Sequence, residues 1–427
     1  MIHIQIPETH QPEIRYVLTT LFEYWFQVPY KVILGPHDSN YWFILPEGKK
    51  IQVRNAFFRL STRPCFYLDA AFLPSAPKWL KTPIGKLPVL FGEPEWESEG
   101  ETISLHSDLI ATLFFFLSRW EEYVSNDADR HGRFPASSSW AAQYNLLHLP
   151  IVNQYVELLK YFFQQMGFPL KSQFFYQQRF TFDIDHPFLF QENGFPLKKV
   201  IRYAFLEMHP KKAWDILLMY TRSQDPYWET LKKVVNSLPQ GTPFYLLIGK
   251  HTRYDHFFPL SQEQKKRIVA ILKTKQMGIG LHPSYKVMEH PHLLLEEKKE
   301  LETLLEEPVT DVRFHYLRFR LPFLWNLLDT SGFTRDSSLL FSRSNGFRCG
   351  TGHPFPVYHC TERKILPIME FPPVFMPLPD QTNIEKEYED LMNSCKQWNT
   401  PLTIIFHPSA LFESEKIKHF YHSIVQG

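Results

Sequence analysis

Apolar residues recur every three or four positions along "YVLTTLFEYWF", Tyr16–Phe26, the spacing that lays one face of an α-helix against a core. The next patterned stretch, "NYWFILPEGKKIQVRNAFFRL", carries strand-like runs on both sides of "PEGKK", which predicts a hairpin. Two long apolar runs follow. "SDLIATLFFFLSRWEEYV" predicts a buried helix capped by Ser107 or Asp108, whose side-chain oxygens accept the first free N–H groups. "LPIVNQYVELLKYFFQQMG" predicts a second, closed by Gly167 where a left-handed residue commonly ends a helix. The polar, turn-rich "SNDADRHGRFPASSSW" between them predicts a loop.

Beyond about residue 172 the rhythm changes to strand then helix, repeated. "RFTFDID", "PFYLLIGK", "MGIGLH", "VRFHYL", "FTRDSSL", "ILPIMEF" and "PLTIIFH" predict strands. "QKKRIVAILKTK" and "LLEEKKELETLLEE" predict helices between them, the second with a solvated charged face. Such alternation predicts an α/β fold with a parallel sheet, closed or open. Two domains are expected, a mixed α/β domain over 1–171 and a strand–helix domain over 172–427. Asp183, Asp185, His282, His315, Asp336 and His407 fall at the C-terminal ends of the predicted strands, the edge where (β/α) barrels build their sites.

Composition narrows the function classes. A chain of 427 residues, 44% hydrophobic and 16% aromatic, can bury a large core. A net charge of +1 gives no global basic field for nucleic acid or an anionic membrane. With Pro 34 against Gly 17, no glycine-rich phosphate cradle is visible. No basic segment followed by an apolar run opens the chain, and "DLIATLFFFL" is too short to cross a bilayer, which predicts a cytoplasmic protein without membrane insertion. Four cysteines make no disulfide framework at this length. "RCGTGHPFPVYHC" gathers Cys349, His353, His359 and Cys360, but the paired CxxC spacing of a zinc site is missing, and free thiols are expected.

Asp183 and Asp185 share a strand face because side chains alternate with period two. Two carboxylates there repel unless a cation, a shared proton or water relieves them. Each candidate also fits a plain structural role: the acids as turn and cap residues, the histidines as strand-end rings satisfied by backbone. Their convergence on one sheet edge favours a site, since titratable groups gather in clefts.

"TFDID", followed by "GIGLH", "VRFHY" and "TIIFHP", resembles the motif series of the polysaccharide deacetylase (NodB-homology, carbohydrate esterase) family. The resemblance covers about residues 173–427 and implies a distorted (β/α) barrel. It implies that Asp183 is the base and Asp185 a metal ligand, with Ile184 between them where the family has adjacent acids. His282 matches the first histidine ligand, Arg313 the arginine that orients the base, Asp336 the acid that tunes the catalytic histidine, and His407 that histidine. Lys286 stands four positions after His282, where the family carries its second histidine ligand; His315 is the preferred third ligand, ahead of His186 and His290. Tyr285 and Arg348, the latter in "GFRCGT", are candidates for binding substrate. The N-terminal stretch, with "FFFLSRWEEYV", "DRHGRF" and "LPIVNQYVELL", is similar to an uncharacterised domain that precedes the deacetylase-like domain in one branch of these proteins.

The implied activity is a metal-dependent hydrolase, a carbohydrate deacetylase holding a divalent metal such as zinc. Its partner is an acetylated carbohydrate, a sugar of a cell-envelope or capsular glycan or its precursor. A non-catalytic glycan-binding or assembly protein that keeps the cleft is the alternative, favoured by Lys286.

Overall fold

The hairpin around "PEGKK" forms as its pattern dictates. Tyr41–Ile44 pairs antiparallel with Lys50–Val53, and a tight turn over 46–48 joins them. The protein is described by a computed structural model, in which the described residues are 1–171, 175–190, 200–206, 209–249, 252–256 and 258–425. Together its elements make a mixed α/β protein with several sheets.

One compact unit comprises Met1–Arg179, Phe319–Phe375 and Tyr388–Thr403. Its largest N-terminal sheet runs Tyr30–Gly35, Ile2–Pro7, Tyr41–Ile44, Lys50–Val53, Thr102–Ser107 and Gly92–Glu99 in spatial order. Asp108, rather than Ser107, caps the buried helix Leu109–Ser118: its carboxylate accepts from Ala111 N at 2.9 Å, and also from Ala56 and Phe57 N. The single helix expected through Val124 is interrupted at Arg119, whose φ of 56° divides it into Leu109–Ser118 and Trp120–Val124. The cause is tertiary. The buried Arg119 guanidinium pairs with Glu121 and Glu122 and donates to the Arg348 carbonyl, and a straight helix would not place it so.

The later segments join this unit through buried polar contacts. Tyr16 Oη donates to the Pro356 carbonyl at 2.9 Å, Trp25 Nε1 to that of Pro354, and Arg363 clasps the buried Glu13. The backbone crosses too, with Phe347 N bonded to Leu147 O and Val152 N to Gly350 O. A break expected at 171/172 meets residues 172–174, which lie outside the described residues. Chain compactness divides the protein at 179/180 and returns 319–375 and 388–403 to the first unit.

The second unit comprises Phe180–Arg318, Met376–Glu387 and Ile404–Gly427. Its strands stand in the order Asp311–Val312, Gly278–Leu281, Pro243–Leu246, Gln178–Ile184 and Leu402–Phe406. Gln178–Ile184, Pro243–Leu246, Gly278–Leu281 and Asp311–Val312 pair in parallel, with Tyr245 opposite Asp183 and Leu281 opposite Val312. Phe182 stacks against Phe244 and Phe406 on one face of the sheet, so period two sends Thr181 and Asp183 to the other. Helices Gln262–Thr274 and His292–Leu305 form where the sequence predicts them, the first behind a Ser261–Gln264 capping box. The face of "LLEEKKELETLLEE" is not wholly solvated: Glu297 is buried and accepts from Ser284 N at 2.9 Å, holding the loop after His282.

Candidate metal centre

The strand Gln178–Ile184 delivers Asp183 and, just past its end, Asp185. Asp183 is buried, and its Oδ1 accepts from Arg313 Nη1 at 2.8 Å. Arg313 is itself fully buried, donates to Thr181 Oγ1 at 2.9 Å, and lies 4.2 Å over the Tyr245 ring. Hydrogen bond and ring together leave the guanidinium one position, and with it the carboxylate. The other carboxylate oxygen, Oδ2, is 4.0 Å from both His282 Nε2 and His407 Nε2.

Asp185, His282 and His315 converge. His282 Nε2 stands 3.2 Å from Asp185 Oδ1, His315 Nδ1 stands 3.5 Å from the same oxygen, and the two ring nitrogens are 3.1 Å apart. Four-coordinate zinc, with ligands at about 2.0–2.1 Å, spaces its ligand atoms about 3.3 Å apart. The triangle fits an ion of that size.

Proton accounting makes the fit chemical as well as metric. His282 Nδ1 faces the Arg313 carbonyl at 2.5 Å, and His315 Nε2 faces the Tyr254 carbonyl at 2.8 Å. A carbonyl only accepts, so each ring carries its proton there and turns a lone pair inward. The third inward atom, Asp185 Oδ1, is buried and receives no hydrogen bond among the described residues. Three acceptors thus face one another. A single proton can join two of them; a divalent ion joins all three. Among the described residues these three make the group whose ligand atoms, all within 4.8 Å of one another, are able to hold a metal ion.

The same electrostatics appear in the titration of the groups. Burial pushes the Asp185 carboxyl up, yet His315 and His407 beside it hold it well below the usual carboxylate range. Burial opposes a charge on His315, and the Asp185 carboxylate raises its pKa nevertheless. The pocket favours positive charge.

The structure brings most of the sequence candidates together. Asp183, Asp185, His282, Arg313, His315 and His407 occupy one cluster, with His407 Nε2 3.5 Å from Asp185 Oδ2. Tyr285 lies beside it, with ring centroids 4.4 Å from Tyr254 and 5.5 Å from Tyr316. The Tyr316 ring in turn lies 4.7 Å from that of His315. Lys286 and His290 are exposed on the turn after His282, and neither they nor His186 join the group of three.

Two candidates are placed elsewhere. Arg348 is buried in the first unit, where Nε and Nη2 grip Glu122 at 2.9 and 2.6 Å and Nη1 donates to the Leu340 carbonyl. Its guanidinium is occupied by that pair and is not presented to a substrate. Asp336 also lies in the first unit, opposite Glu370 on the neighbouring strand, and accepts from Ser338 Oγ at 2.6 Å. Of the zinc-like cluster, Cys349 and Cys360 are buried free thiols, and burial of His353 pushes its pKa down to about 3.

Sequence reasoning missed the loop 252–256. The buried His256 ring faces the Asp185 and Leu247 carbonyls, tying the end of one strand to the next. Burial holds its pKa down at about 4. Asp255 accepts from Tyr285 N at 2.8 Å, and Tyr254 supplies the carbonyl for His315. No periodic pattern marks this loop; only the local cluster "RYDH" was available as a signal.

Residues 2–168 match a family model described as a family of unknown function, DUF7033. No curated protein matches the chain. Among solved structures, the chain is similar to a crystal structure described as a "putative polysaccharide deacetylase" from Mycobacterium smegmatis. The TM-score is 0.34 and the identity 13%, over 58% of this chain and 84% of that one. A likeness of that size is too small to assign an activity.

Proposed function

We propose that the protein is a metal-dependent hydrolase that removes acetyl groups from an acetylated sugar of a cell-envelope or capsular glycan or its precursor. The observation that carries this reading is the convergence of Asp185 Oδ1, His282 Nε2 and His315 Nδ1 as three acceptors without a donor among them. On this reading the parallel strands belong to a distorted (β/α) barrel. Asp185, His282 and His315 would hold a divalent ion, zinc by ligand type, and three protein ligands with an open position are the pattern of a catalytic site. When bound, such an ion supplies Lewis acidity, lowering the pKa of water and polarising a carbonyl.

The remaining roles belong to the chain. Asp183 is the general base: its Oδ1 is anchored by Arg313, which leaves Oδ2 facing the centre to take a proton from the attacking water. Arg313 is the positioning residue for that base. His407, half-buried on the opposite side of the acids, carries the proton that the departing sugar nitrogen or oxygen needs. Tyr285, with Tyr254 and Tyr316, offers ring faces on which a sugar can stack.

Acetate release from acetylated amino-sugar oligosaccharides, measured with and without a chelator, tests the proposal. Release that stops with chelator and returns with zinc supports it. Saturable glycan binding with no acetate released would make the protein the non-catalytic glycan-binding protein that Lys286 favours.

A further inference from the structure

Beside the candidate centre two tyrosine rings each carry an arginine, and the two arginines differ in their counter-charge. The Tyr254 and Tyr285 rings lie 4.4 Å apart at 31°. The Arg318 guanidinium lies 4.1 Å over the Tyr285 ring, and both carboxylate oxygens of Glu289 accept from it. The Arg253 guanidinium lies 5.0 Å over the Tyr254 ring. It is exposed, and among the described residues no carboxylate pairs with it.

Arg253 is nevertheless held in place. Its Nη2 donates to Tyr254 Oη at 3.0 Å. Tyr254 is fixed in turn, because its N–H donates to Thr252 Oγ1 at 3.0 Å and its carbonyl accepts from His315 Nε2 at 2.8 Å. The arginine thus stands one residue from a backbone group that touches a ligand of the candidate centre. Its remaining N–H donors form a planar fork, which matches the oxygens of a carboxylate or phosphate two at a time. The surrounding charges point the same way. Lys286, the residue after Tyr285, is exposed and pairs with no carboxylate among the described residues. The acids of these loops are engaged elsewhere: Glu289 with Arg318, and the buried Asp255 with the N–H groups of Tyr285 and Thr252. Ring faces edged by a fixed cation suit a sugar that carries negative charge.

We propose that the site takes an anionic acetylated saccharide, whose carboxylate or phosphate is gripped by Arg253 while Lys286 adds positive charge at the same edge. This rests on the reading of the site as one for acetylated sugars and narrows its substrate class. An arginine that merely tethered Tyr254 would serve every sugar alike, so the comparison that matters is between sugars.

Calorimetric titration of the full chain with two matched pairs of probes tests it. One pair is N-acetylchitotetraose and a tetrasaccharide alternating glucuronate with N-acetylglucosamine; the other is N-acetylglucosamine and its 1-phosphate. In at least one pair the anionic member is expected to bind about tenfold more tightly, as a charge-assisted bidentate contact gives; the pair that shows it separates carboxylate from phosphate. Arg253→Ala should bring that ratio to within about twofold, and Arg253→Lys, which keeps the charge without the fork, should restore part of it. Equal binding within both pairs overturns the proposal. So does an Arg253→Ala variant that weakens both members alike at an unchanged melting temperature, which would make the arginine a tether for Tyr254. Acetate release on the same preparations keeps the two readings apart. An anionic preference in binding with no acetate released counts for this ligand and against the hydrolase. Equal release from both members counts for the hydrolase and against this ligand.

Discussion

Asp183 and Asp185 sit two positions apart, yet their surroundings divide them: one is held by an arginine, the other is turned toward two imidazole lone pairs. Asp183→Asn keeps the shape but cannot take a proton. It should lower acetate release by about 10²–10⁴ while the preparation keeps its metal; metal loss in that variant would show the roles reversed. Strand-end position made Asp183, Asp185, His282 and His407 legible in the sequence. Arg348 was misleading because its partner, Glu122, lies 226 positions away and leaves no local pattern. Glu370 offers a separate test, through pH. Burial and then the neighbouring Asp336 hold its pKa well above the usual carboxylate range. The folded chain therefore keeps a proton that the unfolded chain loses near pH 4.3. Its contribution to stability is fully present at low pH and declines as pH rises through the raised folded value. Glu370→Gln should flatten that decline, measured as urea midpoints across a pH series; an unchanged slope would place the proton elsewhere.

Elements whose signals are local were legible, and those shaped by distant contacts were not. The "PEGKK" hairpin, the Gly167 helix end and the Asp108 cap each follow from a few neighbouring residues. The interruption at Arg119 does not, because its left-handed backbone is held by Glu121, Glu122 and a carbonyl from a distant segment. "VRFHYL" likewise promised a strand, but the strand formed is Asp311–Val312 and takes only Val312 from that run, before Tyr316 and Leu317 turn the chain at φ 62° and 48°. That turn presents the Tyr316 ring beside His315, and non-glycine residues there cost about 1–2 kcal/mol each. The Asp108 cap can be weighed directly. Asp108→Ala removes the helix cap and leaves Ala56 and Phe57 N–H groups without their acceptor, which should cost about 2–4 kcal/mol in denaturant unfolding. A loss below about 1 kcal/mol would mean that water satisfies those groups as well.

At the scale of the whole chain, a cut in sequence is not a cut in structure. Tyr16, Trp25 and Glu13 bond to residues beyond 350, so a chain beginning at 172 loses the partners of Pro354, Pro356 and Arg363. It should be insoluble or lack a cooperative melt; a soluble 172–427 chain that melts sharply would show that those contacts are dispensable. The strand–helix alternation was legible because it is periodic, whereas the return of 319–375 to the first unit rests on pairings that no window of sequence contains. In the second unit Asp185, His282 and His315 turn three acceptors toward one another, and on the proposed reading they hold a divalent ion. Zinc content after dialysis, measured on the full chain and on Asp185→Ala, His282→Ala, His315→Ala and His290→Ala, tests it most directly. About one zinc ion per chain is expected in the wild type and in His290→Ala, as a single three-ligand site requires, and its loss in the other three. A wild type that takes up no zinc, or triad variants that keep it, would contradict it.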